Sequence, residues 1–149
     1  MNAPLYLDDL QVGDRFTTGE HALDAEAIKA FAAVYDPQPF HLDEAAAAES
    51  LFGGLAASGW QTAAITMRLM VTSGMKIAGG QIGAGCELQW PRPTRPGDVL
   101  RVESEVRELR PSASRADRGI VVLRSETRNQ HGDVLMVLTS KVVMQRRVT

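Results

Sequence analysis

Ser58-Gly59-Trp60-Gln61-Thr62-Ala63-Ala64-Ile65-Thr66-Met67-Arg68-Leu69-Met70-Val71-Thr72-Ser73-Gly74, followed shortly by Gln81-Ile82-Gly83-Ala84-Gly85-Cys86-Glu87-Leu88-Gln89-Trp90, decides the fold. In the first part Ala63, Ala64, Ile65, Met67, Leu69, Met70 and Val71 cover most of a helical circumference, which predicts a helix over residues 58–72 that ends at Ser73-Gly74. A helix apolar nearly all round is wrapped by other structure rather than laid on a surface. In the second part the period drops from 3.6 to 2. Ile82, Ala84, Cys86, Leu88 and Trp90 alternate with Gln81, Gly83, Gly85, Glu87 and Gln89, a strand with one buried face.

Downstream, the period of 2 persists. Leu100, Val102, Ser104 and Val106 alternate with Arg101, Glu103, Glu105 and Arg107, a strand with one wet face. Residues 120–128 and Val134–Gln145 flank the turn-rich Asn129-Gln130-His131-Gly132-Asp133 and make an antiparallel hairpin. Pro91-Arg92-Pro93-Thr94-Arg95-Pro96-Gly97 forces a sharp connection before the second strand. The polar residues 110–119 read as a mobile loop. Upstream, Asp24 caps a helix over Ala25–Tyr35 whose apolar face is Ile28, Phe31, Ala32 and Tyr35. Pro37 ends that helix at Asp36, and Pro39 keeps Asp36 to Phe40 irregular. A short helix over residues 44–50, capped by Asp43, follows. Helices first and antiparallel strands after define an α+β chain, with the sheet curled round one hydrophobic helix.

The 149 residues fit one domain, 1–149, with no repeat or linker. Sixteen Lys+Arg against 18 Asp+Glu give a net charge of −2, which argues against a dedicated nucleic-acid binder. One cysteine, Cys86, makes no intrachain disulfide or thiolate metal site, and a reducing, cytoplasmic setting fits it. The start, Met1-Asn2-Ala3-Pro4-Leu5, lacks the pattern of a leader peptide, and no run approaches the ~20 apolar residues of a membrane span.

Of the three histidines, His131 lies in the predicted turn and His21 has no acidic partner at useful spacing. His41 follows Asp36-Pro37-Gln38-Pro39-Phe40, so a carboxylate and an imidazole stand five residues apart on a proline-stiffened loop. Such a pair can hold a water and move protons near neutral pH; on spacing alone, two helix and turn caps explain it as well. Phe52-Gly53-Gly54-Leu55-Ala56-Ala57-Ser58-Gly59 leads into the helix, whose first N–H groups have no partner inside it and can polarise a carbonyl. It is neither a phosphate loop nor a nucleophile elbow. One histidine beside Asp43 lacks the ligand count of a metal site.

Taken together, Asp36-Pro37-Gln38-Pro39-Phe40-His41-Leu42-Asp43, Phe52-Gly53-Gly54 and Ser58-Gly59 resemble the MaoC-like dehydratase family, which includes the R-specific enoyl-CoA hydratases. The family pattern is Asp-x-Asn-Pro-x-His-x-Asp, then Phe-Gly-x-x-Ile-Ala-His-Gly, and the order and spacing match from Asp36 to Gly59 without gaps. Val12-Gly13-Asp14 and Arg92-Pro93-Thr94-Arg95-Pro96-Gly97-Asp98 extend the likeness over nearly the whole chain. The resemblance implies a hot-dog fold, edge-to-edge homodimers and an acyl tunnel at their interface. It implies reversible addition of water across C2–C3 of a trans-2-enoyl-CoA, giving an (R)-3-hydroxyacyl-CoA, with coenzyme A part of the substrate and no further cofactor. By the same carry-over, Asp36 and His41 hold the water and the Gly59 N–H polarises the thioester carbonyl. Gln38 stands in place of the family's Asn and Ser58 in place of its His. These two, with Trp60, are expected at the substrate. Trp60, Met67, Leu69, Met70 and Met75 are candidates to line the tunnel, and Arg92 and Arg95, forced to the surface by prolines, to meet CoA phosphate. A hot-dog thioesterase is the first alternative, although no Asp or Glu occurs between Phe52 and Ile82 to supply its usual helix carboxylate. A non-catalytic acyl-CoA binding or assembly subunit is the second.

Overall fold

The computed structural model describes residues 3–147; Met1 and Asn2, which open the segment read above for a leader, lie outside them. The strands are β1 (Arg15–Thr17), β2 (His21–Ala22), β3 (Ile82–Gln89), β4 (Val99–Pro111), β5 (Arg118–Arg128) and β6 (Val134–Gln145). They form one antiparallel sheet in the order β1-β4-β5-β6-β3, with β2 also paired to β4. The helices are α1 (Ala25–Tyr35), α2 (Pro39–Leu42), α3 (Glu44–Ala48) and α4 (Gly59–Ser73). The sheet curls over α4, as in the hot-dog fold.

Alternation places the core. Leu100, Val102 and Val106 of β4, Val121 and Leu123 of β5, and Leu138, Val142 and Met144 of β6 are buried, and they pack in one cluster with Ile65, Leu69 and Met70 of α4. Each such side chain contributes ~1.5–3 kcal/mol relative to exposure. The caps fall where the sequence puts them. Asp24 Oδ1 accepts the Ala27 N–H at 2.8 Å, and Asp43 Oδ2 accepts the Ala46 N–H at 2.8 Å.

Several expectations are corrected. α4 is one-sided within the chain: Gln61, Thr62, Ile65, Thr66, Leu69 and Met70 are buried, while Trp60, Ala64, Met67 and Val71 are exposed. The buried threonines are accommodated by hydroxyl pairs, Thr62 with Thr94 at 2.8 Å and Thr66 with Thr127 at 2.6 Å, and the Gln61 amide donates to Ala27 O at 3.0 Å. β3, at the sheet edge and paired with β6, has no fully buried residue, because little of the chain packs over it: only Leu88 is half-buried against the core. Tyr35 is exposed, since α1 turns only Ile28 and Ala32 fully inward. Pro39 starts a helical turn instead of excluding one, as its fixed φ suits the first helical position. The predicted mobile loop shrinks to residues 112–117, because β4 runs on past an irregularity between Val106 and Glu108 to pair Pro111 with Gly119. β1 and β2 are too short to show a period, and their signal comes from pairing with β4.

Candidate active site

The end of α1 and the one-turn α2 place Asp36 and His41 side by side. Asp36 is the C-terminal cap of α1, its N–H donating to Ala32 O at 2.9 Å, and its own carbonyl accepts the Gln38 N–H at 2.8 Å. That tight turn, followed by Pro39 as the first residue of α2, brings His41 back beside Asp36. His41 Nε2 lies 3.3 Å from Asp36 Oδ2. The imidazole is 4% exposed, flanked by Phe40 in an edge contact at 4.6 Å and by Phe52 at 6.0 Å.

One hydrogen bond fixes the tautomer. His41 Nδ1 is 2.6 Å from the Ala56 carbonyl, which can only accept, so Nδ1 carries a proton. A neutral ring then presents a lone pair at Nε2, facing a second acceptor, Asp36 Oδ2. Two acceptors this close require a shared proton or a bridging donor, and a water is the smallest molecule that can donate to both. The Asp36 carboxyl is further defined by the Gln38 amide, which donates to Oδ1 at 2.5 Å, and by the Ser58 hydroxyl, which donates to Oδ2 at 2.7 Å. Burial pushes this carboxyl up, but the bonds from Ser58 and Gln38 and the nearby His41 outweigh it and hold the net value below the ordinary 3.8.

The start of α4 forms the opposite wall. Ser58, fully buried, is the N-cap and accepts the Trp60 N–H at 3.2 Å. Gly59 is the first helical residue, and its N–H has no acceptor among the described residues. Trp90 closes on Gly59: a Cβ there would lie 2.7 Å from Trp90 Cε2, so any larger residue must displace the indole. Trp90 Nε1 donates to Gly59 O at 3.1 Å, and its ring meets Trp60 edge-on at 5.5 Å.

Asp36, Gln38, His41, Gly59, Trp60 and Arg92 all line one cleft of about 390 Å³. Ser58 stands just behind it. Met67, Leu69, Met70 and Met75 do not line it: Leu69, Met70 and Met75 are buried in the core and Met67 faces solvent. Arg92 is at the rim, 65% exposed, with Nη1 3.6 Å from Asp133 Oδ1. The surface placement expected for Arg95 is corrected. Its guanidinium turns inward and donates to the carbonyls of Phe52 at 2.5 Å, Gly54 at 2.9 Å and Leu55 at 3.3 Å. That loop, bent by Gly53 at φ +66°, lacks strand or helix partners for these carbonyls, and the guanidinium fork supplies the donors. Sequence reasoning missed Trp90 and Thr94 as cleft residues. Trp90 was counted with a buried strand face, and only its place next to the proline-rich loop hints at another role.

A curled antiparallel sheet around a helix, with an Asp/His pair facing a free amide at that helix's start, defines a hot-dog protein of the dehydratase type. The MaoC-like domain model matches residues 10–127, and the chain belongs to that family. The MaoC-like dehydratase from Rhodospirillum rubrum is 63% identical and superposes with a TM-score of 0.95, covering 97% of this chain and 99% of that one. The uncharacterized protein YdeM of Bacillus subtilis is 35% identical over 127 residues, 83% of this chain and 87% of its own length. The 3-hydroxybutyryl-CoA dehydratase of Methylorubrum extorquens is 31% identical over 113 residues, 75% of this chain and 70% of its own. Among the described residues no helix is long and apolar enough to cross a membrane.

Proposed function

We propose that this protein is a hydratase/dehydratase that interconverts a trans-2-enoyl-CoA and an (R)-3-hydroxyacyl-CoA. The observation that carries the reading is the tethered His41: with Nδ1 fixed on Ala56 O, its Nε2 and Asp36 Oδ2 stand 3.3 Å apart and line the same cleft as Gly59. Family membership and the 3-hydroxybutyryl-CoA dehydratase relative support the same chemistry.

In the hydration direction, the pair holds the water over C3. The water oxygen bonds to C3 while its proton passes to the pair. The C2–C3 π electrons shift toward C1, and the thioester oxygen gains negative charge that the Gly59 N–H meets. The pair then returns a proton to C2, so that H and OH are added overall. Apart from the C–O bond that water itself forms at C3, the chain's own groups supply proton transfer and electrostatic stabilisation, with coenzyme A as part of the substrate and no added cofactor. Trp60 and Trp90 wall the acyl side of the cleft, and Arg92 at the rim meets the CoA phosphates. Replacing Arg92 by Ala then raises KM for the CoA ester but not for the same acyl group on a pantetheine arm; equal effects on both remove Arg92 from phosphate recognition.

The working unit is a homodimer. β3 leaves a free backbone edge, and Ile82, Trp60, Met67 and Val71 are exposed on β3 and α4. The test of function is a panel of trans-2-enoyl-CoAs of increasing length, read for enoyl absorbance and for free thiol. Loss of absorbance without thiol release is the expected result. Thiol release with the double bond intact means a thioesterase, and no change in either signal means a non-catalytic subunit.

A further inference from the structure

Ser58 occupies the position where the family carries a histidine, and its hydroxyl has two simultaneous tasks in this chain. It donates to Asp36 Oδ2 at 2.7 Å and accepts the Trp60 N–H at 3.2 Å, while the Ser58 carbonyl accepts the Gln61 N–H at 2.9 Å and the Thr62 N–H at 3.2 Å. The residue is 0% exposed, so no bulk water competes for the bond to Asp36. One side chain therefore joins the end of α1, which carries the acid/base carboxylate, to the start of α4, which carries the free Gly59 N–H. These two segments are 22 residues apart in sequence.

We propose, building on the hydratase reading, that Ser58 is a positioning residue: its hydroxyl locks the Asp36 carboxylate to the first turn of α4, so that the water on Asp36/His41 and the thioester oxygen on Gly59 keep one spacing. The bond goes to Oδ2, the oxygen that also faces His41 Nε2, so it sets the orientation of the lone pairs left for water. Gln38 on Oδ1 is more exposed and fixes the other side. The titratable group that faces this carboxylate is His41 from α2; Arg92 lines the rim of the same cleft, paired with Asp133, and the first turn of α4 contributes no acidic group. The Ser58 hydroxyl thus favours the ionised carboxylate from a helix start that itself carries no charged side chain.

The test compares S58A, S58G and S58T in two measurements. The first is the ¹³C-NMR titration of the Asp36 carboxyl carbon without substrate, and the second is the pH profile of kcat/KM on the best enoyl-CoA. A hydrogen bond to a charged group predicts a loss of about 10- to 100-fold in kcat/KM for S58A, mostly in kcat, with the acid limb and the Asp36 midpoint both moved to higher pH. S58T keeps a hydroxyl and restores both. Glycine is nearly as good an N-cap as serine, so S58G supplies a folded variant without the hydroxyl if S58A is too unstable. D24A, which removes the cap of α1 away from the cleft, controls for stability alone and leaves the acid limb in place. The proposal is overturned if S58A and S58G keep the wild-type midpoint and profile, or if D24A reproduces their effect. A raised midpoint in S58A, with wild-type protein inactive on every enoyl-CoA, instead keeps the tether and rejects the hydratase reading, and with it the role of Ser58 in that reaction.

Discussion

Replacing Gly59 by Ala tests, with one methyl group, the proposed role of its N–H toward the thioester oxygen. The new Cβ would lie 2.7 Å from Trp90 Cε2, 2.9 Å from Nε1 and 3.0 Å from Cζ2. Carbon atoms rest at about 3.5–4.0 Å, so the indole must retreat by roughly 0.8 Å or the start of α4 must move away from it. Retreat stretches the 3.1 Å bond from Trp90 Nε1 to Gly59 O beyond hydrogen-bonding range. Overpacking of this kind costs about 1–3 kcal/mol, which for a chain of this size lowers Tm by roughly 2–4 °C per kcal/mol. Activity falls further than stability. Where the start of α4 gives way to the new methyl, the Gly59 N–H moves with it, and displacing a catalytic donor by about 1 Å costs on the order of 100-fold. The assay is kcat for enoyl-CoA hydration beside a thermal melt, for G59A, W90F and the double variant. Phenylalanine is smaller at the contact, so the double variant regains much of the kcat that G59A loses. Wild-type turnover in G59A, or a double variant no better than G59A, refutes the argument that the Gly59 amide is held in place against Trp90.

R95A leaves the carbonyls of Phe52, Gly54 and Leu55 without their donor, and thermal melts should show a destabilisation of about 2–4 kcal/mol that R95K, lacking the planar fork, does not repair. Asp36 has a lowered folded-state pKa, so its contribution to stability is fully present above the ordinary value of 3.8 and is lost as pH falls through the folded value. Denaturant titrations of wild type and D36N should therefore converge only in that acid window; convergence starting near neutral pH contradicts the assignment. Light scattering should give a mass near twice 16.2 kDa; a stable single-chain mass at working concentration removes the dimer and, with it, the interface tunnel.

The helix caps, the long strands and the Asp36–His41 spacing were legible because local rules govern them: a side-chain oxygen before a helix, a period of 2, prolines stiffening a loop. Legibility failed wherever a residue's environment depends on distant chain. The alternation in residues 81–90 is real, but a strand's period does not say whether a second layer covers it, and β3 lies at an edge. The apolar circumference of α4 likewise does not say which side the sheet covers. Arg95 looked like a surface arginine because it sits among prolines. Its three acceptors are 40 to 43 residues away, and only folding brings them together. Ser58 was legible as a departure from the family pattern, whereas its bond to Asp36 across 22 residues was not.

The central claim is that Asp36 and His41 act on one water. Its most direct test is the ratio of kcat/KM between wild type and D36N on the best trans-2-enoyl-CoA, with folding checked by circular dichroism. Asn keeps the size and shape of the side chain but turns one of the two acceptor oxygens, which meet Gln38 and Ser58, into an NH2 donor and removes the basic carboxylate, so the account predicts a loss of about 10²- to 10⁴-fold. Near wild-type turnover in folded D36N would contradict it.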